Sequence, residues 1–461
     1  MGLHLPSTLA LFLTVGFVVF LFRRDIRQRP NVTGALWLPL VWMLLLGSRS
    51  VMLWLDALGL MKAGSVEEGN PLDALIYFSL ILAGIGVLNQ RRVSLSEVLR
   101  NNGWLMAFVL YCFIAIFWSD FHVIAFKRWI KILGQPVMAL ILLTEPDPVE
   151  ALSRLVKRSA YVLLPMSILL IKYYPEIGRG YDEWGGPTNF GVAHGKNQLG
   201  ALCLVLGFFL FWHWLNIWRA EKGKARRNEL LLSGGLLFMI GWLFAKAHSA
   251  TSFLSLLIGV VVVLLAGRQW VNKKLIGTYV LLAVVAFVAA DLAFGVFERL
   301  VVLTGHGATL MGRAELWRQL LAYHVNPAFG VGFESFWLGD RVELFHEGRA
   351  WTPNEAHNGY LETYLNLGLL GLFMLIGVII ATFRKIQHDL VQNLDWGRFR
   401  LGFLAAVVFY NWTEVSFRGL SLVWFAFYII AIGYSDLRFA PRESSFEPLG
   451  SEDVKESEVY V

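Results

Sequence analysis

The sequence predicts an all-α integral membrane protein, and three observations lead to this prediction: the composition, the long apolar runs and the basic residues between those runs. Of the 461 residues, 56% are hydrophobic and only 16% are charged, whereas a soluble domain carries about 25% charged residues. A soluble fold could not bury so much apolar surface, so lipid must cover it. The net charge of +6 lies in short clusters between apolar runs, which is not the pattern of a nucleic-acid-binding surface.

Apolar runs long enough to cross a bilayer recur along the chain. A membrane helix needs about 20 mainly apolar residues. Candidate runs begin near Leu5, Gly34, Pro71, Trp104, Trp129, Ser159, Asn197, Leu230, Ala250, Leu275, Gly359, Leu401 and Leu420. We therefore predict about 12–13 transmembrane helices within residues 1–440. The tail, residues 441–461, is rich in Glu and Ser and is predicted to be disordered and cytoplasmic.

Basic residues between the apolar runs predict the orientation. The clusters are Arg23–Arg29, Arg91–Arg92, Arg154–Arg158, Arg219–Arg227, Arg268–Lys274 and Arg384–Arg400. They fall after every second run, as the positive-inside rule requires. In a bacterial cytoplasmic (inner) membrane, the amino terminus and loops 172–196 and 296–358 would then face the periplasm. Long loops on a short-looped bundle are where a site is expected.

These two outer loops contain the residues best suited to chemistry. Arg179 and Arg313 each offer a planar fork of donors that matches phosphate oxygens, although an arginine near an apolar run also snorkels to lipid headgroups. His357 has an unperturbed pKa of about 6.5, which suits a general base, but it is equally compatible with a plain interfacial position.

The second loop also contains a predicted surface helix. Leu316, Leu320 and Tyr323 recur at helical spacing. This spacing predicts an apolar helix face that lies on the membrane surface.

Ionisable residues near the apolar runs form a further group of candidates. Arg128 and Lys131 lie at the outer end of one run, and Glu414 lies between the last two. Such residues are functional candidates by default, although they also pair with one another. The two cysteines, Cys112 and Cys203, lie inside apolar runs and predict neither a disulfide nor a metal site. The His residues lack the spacing of a zinc motif, so no metal is expected.

Short motifs occur in a fixed order along nearly the whole chain. They are Gly47-Ser48-Arg49 with Trp54, Glu68 to Asp73, Trp118-Ser119-Asp120, Lys127-Arg128-Trp129, Gly178-Arg179, Lys196-Asn197, Gly312-Arg313, Trp317, Asn326-Pro327, Gly330-Val331-Gly332, His357-Asn358, Tyr360-Leu361 and Gly368 to Gly371. This order resembles the O-antigen ligase family. The part from Gly312 onward is similar to the region shared by O-antigen ligases and polymerases.

The resemblance implies a membrane glycosyltransferase with a GT-C-like fold. Its donor would be a glycan on undecaprenyl diphosphate, used without a cofactor, nucleotide sugar or metal. The family's two essential outer-face arginines and one histidine map by motif to Arg179, Arg313 and His357. Attack opposite the leaving group would invert the anomeric centre. Substrate contacts are further expected from Arg49, Arg128, Lys131, Lys196, Asn197, Asn358 and Glu414.

Two questions stay open at this stage. Within the family, the acceptor could be lipid A-core, a protein or another lipid-linked glycan, so ligation and polymerisation are both compatible with the sequence. From another class, a transporter or flippase of lipid-linked glycans would show internal repeats and a polar site at the midplane. The sequence has no clear repeat, and its distinctive polar residues lie at one face.

Overall fold

The computed structural model describes residues 5–62, 69–181, 185–219, 222–295, 299, 307–346 and 353–434. Within these ranges the chain is α-helical apart from one two-stranded antiparallel sheet. The prediction of an all-α membrane protein is thereby confirmed. The tail predicted to be disordered, residues 441–461, lies outside the described residues.

The amino-terminal half begins with a series of helices that leads into the sheet. They are α1 (Ser7–Arg27), α2 (Trp37–Gly47), α3 (Val51–Ala57), α4 (Pro71–Gln90), α5 (Leu95–Asn101), α6 (Gly103–Ile114), α7 (His122–Leu143), α8 (Pro148–Tyr173) and α9 (Pro175–Gly178), followed by β1 (Arg179–Tyr181) and β2 (Pro187–Asn189). Two of these helices start where the sequence dictates. Asn70 accepts from Leu72 N to cap α4, and Asp147 accepts from Glu150 N to cap α8. Each cap is followed by proline, which suits the first helical position.

The remaining helices contain most of the candidate site. They are α10 (Lys196–Arg219), α11 (Lys224–Ala247), α12 (Ala250–Ala266), α13 (Ile276–Phe294), α14 (Gly307–Ala322), α15 (Asp340–His346), α16 (Gly359–Gln392), α17 (Leu394–Thr413) and α18 (Leu422–Ala431). Short 3-10 turns at Gly34–Leu36, Ala115–Trp118 and Lys273–Leu275 accompany them. The bundle centre is aromatic: Phe208 of α10 lies 5.6 Å from Phe399 and 5.5 Å from Phe403 of α17, measured between ring centroids.

Four of the described helices, α4, α10, α11 and α16, are long and apolar enough to cross a membrane. The number rises to six if each of two bent pairs is one span: Gly34–Gly47 with Val51–Ala57, bent by 54°, and Leu95–Asn101 with Gly103–Trp118, bent by 99°. Every predicted apolar run coincides with a helix, but the predicted 12–13 spans exceed this number. Some helices are not counted as membrane spans because they carry too many charges or are too short. Helix α7 contains Lys127, Arg128 and Lys131, and α12 and α18 are shorter apolar helices.

The basic clusters used to predict orientation meet at one end of the bundle. Arg154 of α8 pairs with Asp25 of α1 at 2.7 Å, and Arg24 lies 3.5 Å from Glu229 of α11. Helices α10, α16 and α17 run between this end and an opposite end. At that opposite end α10 and α16 begin and α17 stops. The candidate site residues described below lie at the opposite end.

Helix α16 is broken near its amino-terminal end, and the preceding loop accepts hydrogen bonds from the amides that follow the break. Gly368 has a φ of +66°, which interrupts the helical backbone. Leu369 N and Leu370 N donate instead to the carbonyls of Pro327 and Ala328, at 2.8 and 3.2 Å. Gly332 N donates to Asn366 O at 2.9 Å. The loop backbone thus takes over hydrogen bonds that the helix gives up.

The apolar face of α14 does not lie on the membrane surface, contrary to our prediction. Leu316 and Leu320 are fully buried against Phe336, Phe345 and Leu365. The sequence spacing correctly predicted an apolar face. Its partner, however, is the folded loop and α16 rather than lipid, because several aromatic residues of the loop supply a protein surface to pack against.

The orientation prediction can be tested by cysteine labelling at the two ends. Asp340→Cys and Lys222→Cys are both at exposed positions, and the native Cys112 and Cys203 are buried. In a Cys112→Ala, Cys203→Ala background, we expect an impermeant maleimide to label Asp340→Cys in intact spheroplasts. It should label Lys222→Cys only after lysis, because the positive-inside rule predicts that the basic clusters face the cytoplasm. Labelling with the opposite pattern would contradict the orientation.

Candidate active site

Glu414 is the residue around which the site is assembled. It follows α17 in an extended conformation and is buried. Its Oε1 accepts from Arg313 Nη2 of α14 at 2.8 Å, and its Oε2 accepts from Asn197 Nδ2 of α10 at 3.2 Å. Arg313 Nη1 also donates to the Thr413 carbonyl. Arg313 therefore has its guanidinium plane fixed by a carboxylate and a carbonyl from the same turn.

His357 lies beside this pair in a strained backbone conformation. Its φ of +48° is in the left-handed region, which is rare for a residue with a Cβ. The Nδ1 atom is 3.0 Å from Glu355 Oε1 and 3.7 Å from Glu414 Oε2. The next residue, Asn358, caps α16 by accepting from Tyr360 N and Leu361 N. The histidine is thus held where the loop enters the helix.

Arg418 extends the network on the far side of Glu355. Its Nη2 donates to Glu355 Oε2 at 2.8 Å, and its Nη1 donates to Glu362 Oε1 at 3.3 Å. Glu362 Oε2 in turn accepts from Ala356 N at 2.9 Å and from Trp337 Nε1 at 3.0 Å. The result is an alternating row of charges, here called the ion chain, whose members are Arg313, Glu414, His357, Glu355, Arg418 and Glu362.

The ion chain sets the protonation state of its members. Burial lowers the pKa of His357, but the carboxylates of Glu355 and Glu414 outweigh burial and raise this pKa to about 9. Burial raises the pKa of Glu355, yet His357, Arg418 and Arg313 bring it down to about 2. The pKa of Glu414 is likewise lowered by Arg313 and His357 against its burial. At neutral pH the histidine is therefore a cation between two anions.

The general-base role considered for His357 disagrees with this environment. A base must be neutral before it accepts a proton, and an imidazole with a pKa of about 9 is already protonated at pH 7. The effect comes first from Glu355, only two residues before His357, and then from Glu414, which comes after α17 and is brought near by the fold.

Three ion-chain residues have the chemistry of a metal site. One atom each of Glu355, His357 and Glu414 lies within 4.8 Å of the others. The ligand types suit a divalent ion. However, Arg313 and Arg418 already pair with the two carboxylates, and a metal would have to displace the proton of His357. The residues present are therefore electrically balanced without an ion.

Arg179 lies on a separate small structure at the same end of the bundle. It begins β1, exposed, and its Nε donates to Ile171 O at 2.6 Å. Arg49 contacts the segment that follows β2: its Nε donates to Ala193 O at 3.1 Å, and its guanidinium lies 5.1 Å from the Phe190 ring. Among the described residues, Arg179 makes no hydrogen bond or ion pair with Arg313 or His357. Its convergence with them remains a prediction.

The other residues expected to bind substrate are divided between two places. Lys196 and Asn197 begin α10, and Asn197 reaches Glu414 as described. Arg128 Nη1 donates to Glu334 O at 2.7 Å, which places α7 beside the Gly330–Gly332 turn. Lys131 lies one turn further along α7. Sequence reasoning overlooked Arg418 and Glu355, although Arg418 stands four positions after Glu414 in a polar stretch between two apolar runs.

Comparisons with known proteins give a family match and a similar protein. Residues 234–376 match the model of the family described as O-Antigen ligase. This range contains Arg313 and His357 but neither Arg179 nor Glu414. The exopolysaccharide production protein ExoQ of Rhizobium meliloti (strain 1021) is 29% identical over 317 residues, which are 63% of this chain and 67% of that protein.

The helical fold, its apolar spans and the polar site at one end define a multi-pass membrane protein with an enzyme-like cluster. The two matches agree with the resemblance drawn from the motifs: residues 234–376 are similar to the O-antigen ligase family, and a longer part of the chain is similar to ExoQ.

The raised pKa of His357 predicts a pH-dependent stability. Its folded pKa of about 9 exceeds the unfolded value of about 6.5. Its stabilising contribution is therefore complete below pH 6.5 and disappears as the pH rises through 9. We expect the melting midpoint of the detergent-solubilised protein to fall by a few degrees between pH 7 and pH 10.

In His357→Gln this fall should be smaller, because no imidazolium is left to deprotonate. The matched control is His324→Gln, which removes an exposed histidine of the same loop and should keep the wild-type curve. Identical pH curves for His357→Gln and wild type would show that His357 is not the charged group inferred from its neighbours.

Proposed function

We propose that this chain transfers a glycan from an undecaprenyl-diphosphate carrier to an acceptor hydroxyl at the periplasmic face, with inversion of the anomeric centre. The observation that carries the proposal is the ion chain, in which two cations, Arg313 and His357, are fixed on either side of Glu414. A site of this kind is built for an anion that gains charge during the reaction.

The chemistry of the diphosphate leaving group explains why the site needs positive charge. The bond between the anomeric carbon and the diphosphate oxygen breaks, and the oxygen keeps the electron pair. Neutralising that charge is the main task, because diphosphate is already a good leaving group. Arg313, His357 and the exposed Arg179 supply positive charge, and a guanidinium adds two-pronged hydrogen bonds to phosphate oxygens.

Polymerisation is the form of the reaction that the comparisons favour. The similar protein of R. meliloti is named for exopolysaccharide production. In a polymerase the acceptor is a second lipid-linked glycan, so donor and acceptor share one carrier. A transporter is less well supported, because the ion chain lies at one end of α10, α16 and α17 rather than halfway along them.

Both forms can be assayed with one preparation. Lipid-linked glycans that accumulate in a strain lacking this gene would be extracted and incubated with the purified protein in nanodiscs. Longer carrier-linked glycans indicate polymerisation. Products formed only after lipid A-core or protein is added indicate ligation. No transfer from any of these mixtures would contradict the proposed function.

Arginine geometry provides the first prediction for this assay. Arg313→Lys should lower the transfer rate by roughly 100-fold, the loss typical of removing one donor to a developing oxyanion. Lysine keeps the charge but cannot hold both Glu414 and a phosphate with one planar fork. Arg179→Lys should be similarly impaired if that residue faces the diphosphate.

Arg318→Lys is the matched control for Arg313→Lys. Arg318 lies on the same helix, is exposed and pairs with Glu315 at 2.8 Å, so its replacement should leave transfer within twofold of wild type. Near-normal transfer by Arg313→Lys would remove Arg313 from the mechanism. Expression level and melting midpoint would be measured in parallel to exclude loss of fold.

Metal independence is a second prediction. The carboxylates of Glu355 and Glu414 are already paired with Arg418 and Arg313, so a divalent ion has no unbalanced charge to neutralise. Transfer should persist at its full rate in excess EDTA. A loss of activity that Mg²⁺ or Mn²⁺ restores would instead assign Glu355, His357 and Glu414 to a metal.

A further inference from the structure

Glu334 carries two unfavourable features at once. Its φ of +47° lies in the left-handed region, where a glutamate is strained. Its Oε1 atom is buried and has no hydrogen-bond partner among the described residues. Buried carboxylate oxygens are normally paired. Strain and an unsatisfied group on one residue point to a function.

The surrounding backbone holds Glu334 in this conformation. Its carbonyl accepts from Arg128 Nη1 at 2.7 Å. The next two amides, of Ser335 and Phe336, both donate to Asn366 Oδ1, at 2.9 and 3.0 Å. The loop backbone is therefore anchored to α7 and to α16 on either side of the glutamate, and its φ cannot relax without breaking these contacts.

The side chain lines a small cavity next to the ion chain. The cavity measures about 20 Å³, enough for one water-sized group such as a hydroxyl. Its polar lining includes Glu334, Glu362, Arg418 and Asn366. Gly419 closes it from the α17–α18 connection, and a Cβ there would lie 2.6 Å from Glu334 Oε1. Only glycine lets the carboxylate come so close to that backbone.

The cavity is joined to the proposed site through Arg418. This guanidinium lines the cavity and also holds Glu355, the partner of His357. Glu334 is thus separated from His357 by two side chains of the ion chain. Glu355, Glu362 and Glu414 each accept a hydrogen bond from an arginine. Glu334 Oε1 has no hydrogen-bond partner among the described residues and can accept a hydrogen bond from a bound group.

We propose that the Glu334 carboxylate binds the attacking hydroxyl of the carbohydrate acceptor and takes its proton. The proposal rests on the proposed function, and it assigns the general base to a residue beside the ion chain rather than in it. The hydroxyl oxygen forms its bond to the anomeric carbon as the bond to the diphosphate oxygen breaks. The electron pair leaves with the lipid diphosphate, and the hydroxyl proton moves to Glu334 and then to water.

Two substitutions of Glu334 test the assignment. Glu334→Gln keeps the shape but cannot take the proton, so transfer of the extracted lipid-linked glycans should fall at least tenfold. Transfer by Glu334→Gly should fall by the same factor. Its melting midpoint should equal or exceed that of wild type, because glycine tolerates a φ of +47°. Arg92→Gly is the matched control: Arg92 is exposed, has a φ of +52° and lies in a basic cluster at the other end.

Binding of undecaprenyl diphosphate alone, followed as a thermal shift, separates acceptor from donor. Glu334→Gln should retain the wild-type shift, whereas Arg313→Lys should lose it. The proposal is overturned if Glu334→Gln transfers within twofold of wild type, if it also loses the undecaprenyl diphosphate shift, or if Glu334→Gly melts below wild type. If the wild type itself transfers nothing, the proposed function falls and this inference falls with it.

Discussion

The pairing of buried charges in the ion chain is the constraint on which the rest of the site depends. Removing one partner of a buried pair leaves an uncompensated charge and costs about 3–5 kcal/mol. The ion chain connects α14, the segment before α16, α16 itself and the α17–α18 connection. Three parts of the backbone that are distant in sequence (α14, the start of α16 with the segment before it, and the α17–α18 connection) are thus held in one geometry by the same contacts that place Arg313 and His357.

The two arginines identified from the motifs are held in different ways. Arg313 is locked by a carboxylate on one side and a carbonyl on the other, so its position is fixed before any substrate arrives. Arg179 is exposed and tied through one nitrogen to the Ile171 carbonyl. In the proposed reaction, the locked arginine would orient the diphosphate, and the exposed one would follow it as the bond to the glycan lengthens.

Composition and apolar periodicity were sufficient to predict the membrane class and to locate the helices. The motifs identified Arg313 and His357, and the position of Glu414 between the last two apolar runs identified that residue; the fold brings the three together. Three things were beyond the sequence. The count of spans depends on how charge on α7 is accommodated, the apolar face of α14 depends on aromatic partners in the loop, and the charge of His357 depends on the distant Glu414 as well as on Glu355. Each involves a tertiary contact between distant segments, which no local spacing encodes.

The break in α16 at Gly368 fixes the position of the site along the axis of that helix. Unpaired backbone groups at membrane depth are strongly unfavourable, and here the carbonyls of Pro327 and Ala328 receive the amides that the break releases. The loop around Pro327 and Ala328 is therefore hydrogen-bonded to α16 and cannot move away from it without leaving the released amides unpaired. In the proposed reaction, a lipid-anchored substrate would have to bring its diphosphate to the level set by these hydrogen bonds, so the length of the carrier's headgroup region would decide which molecules reach Arg313 and His357.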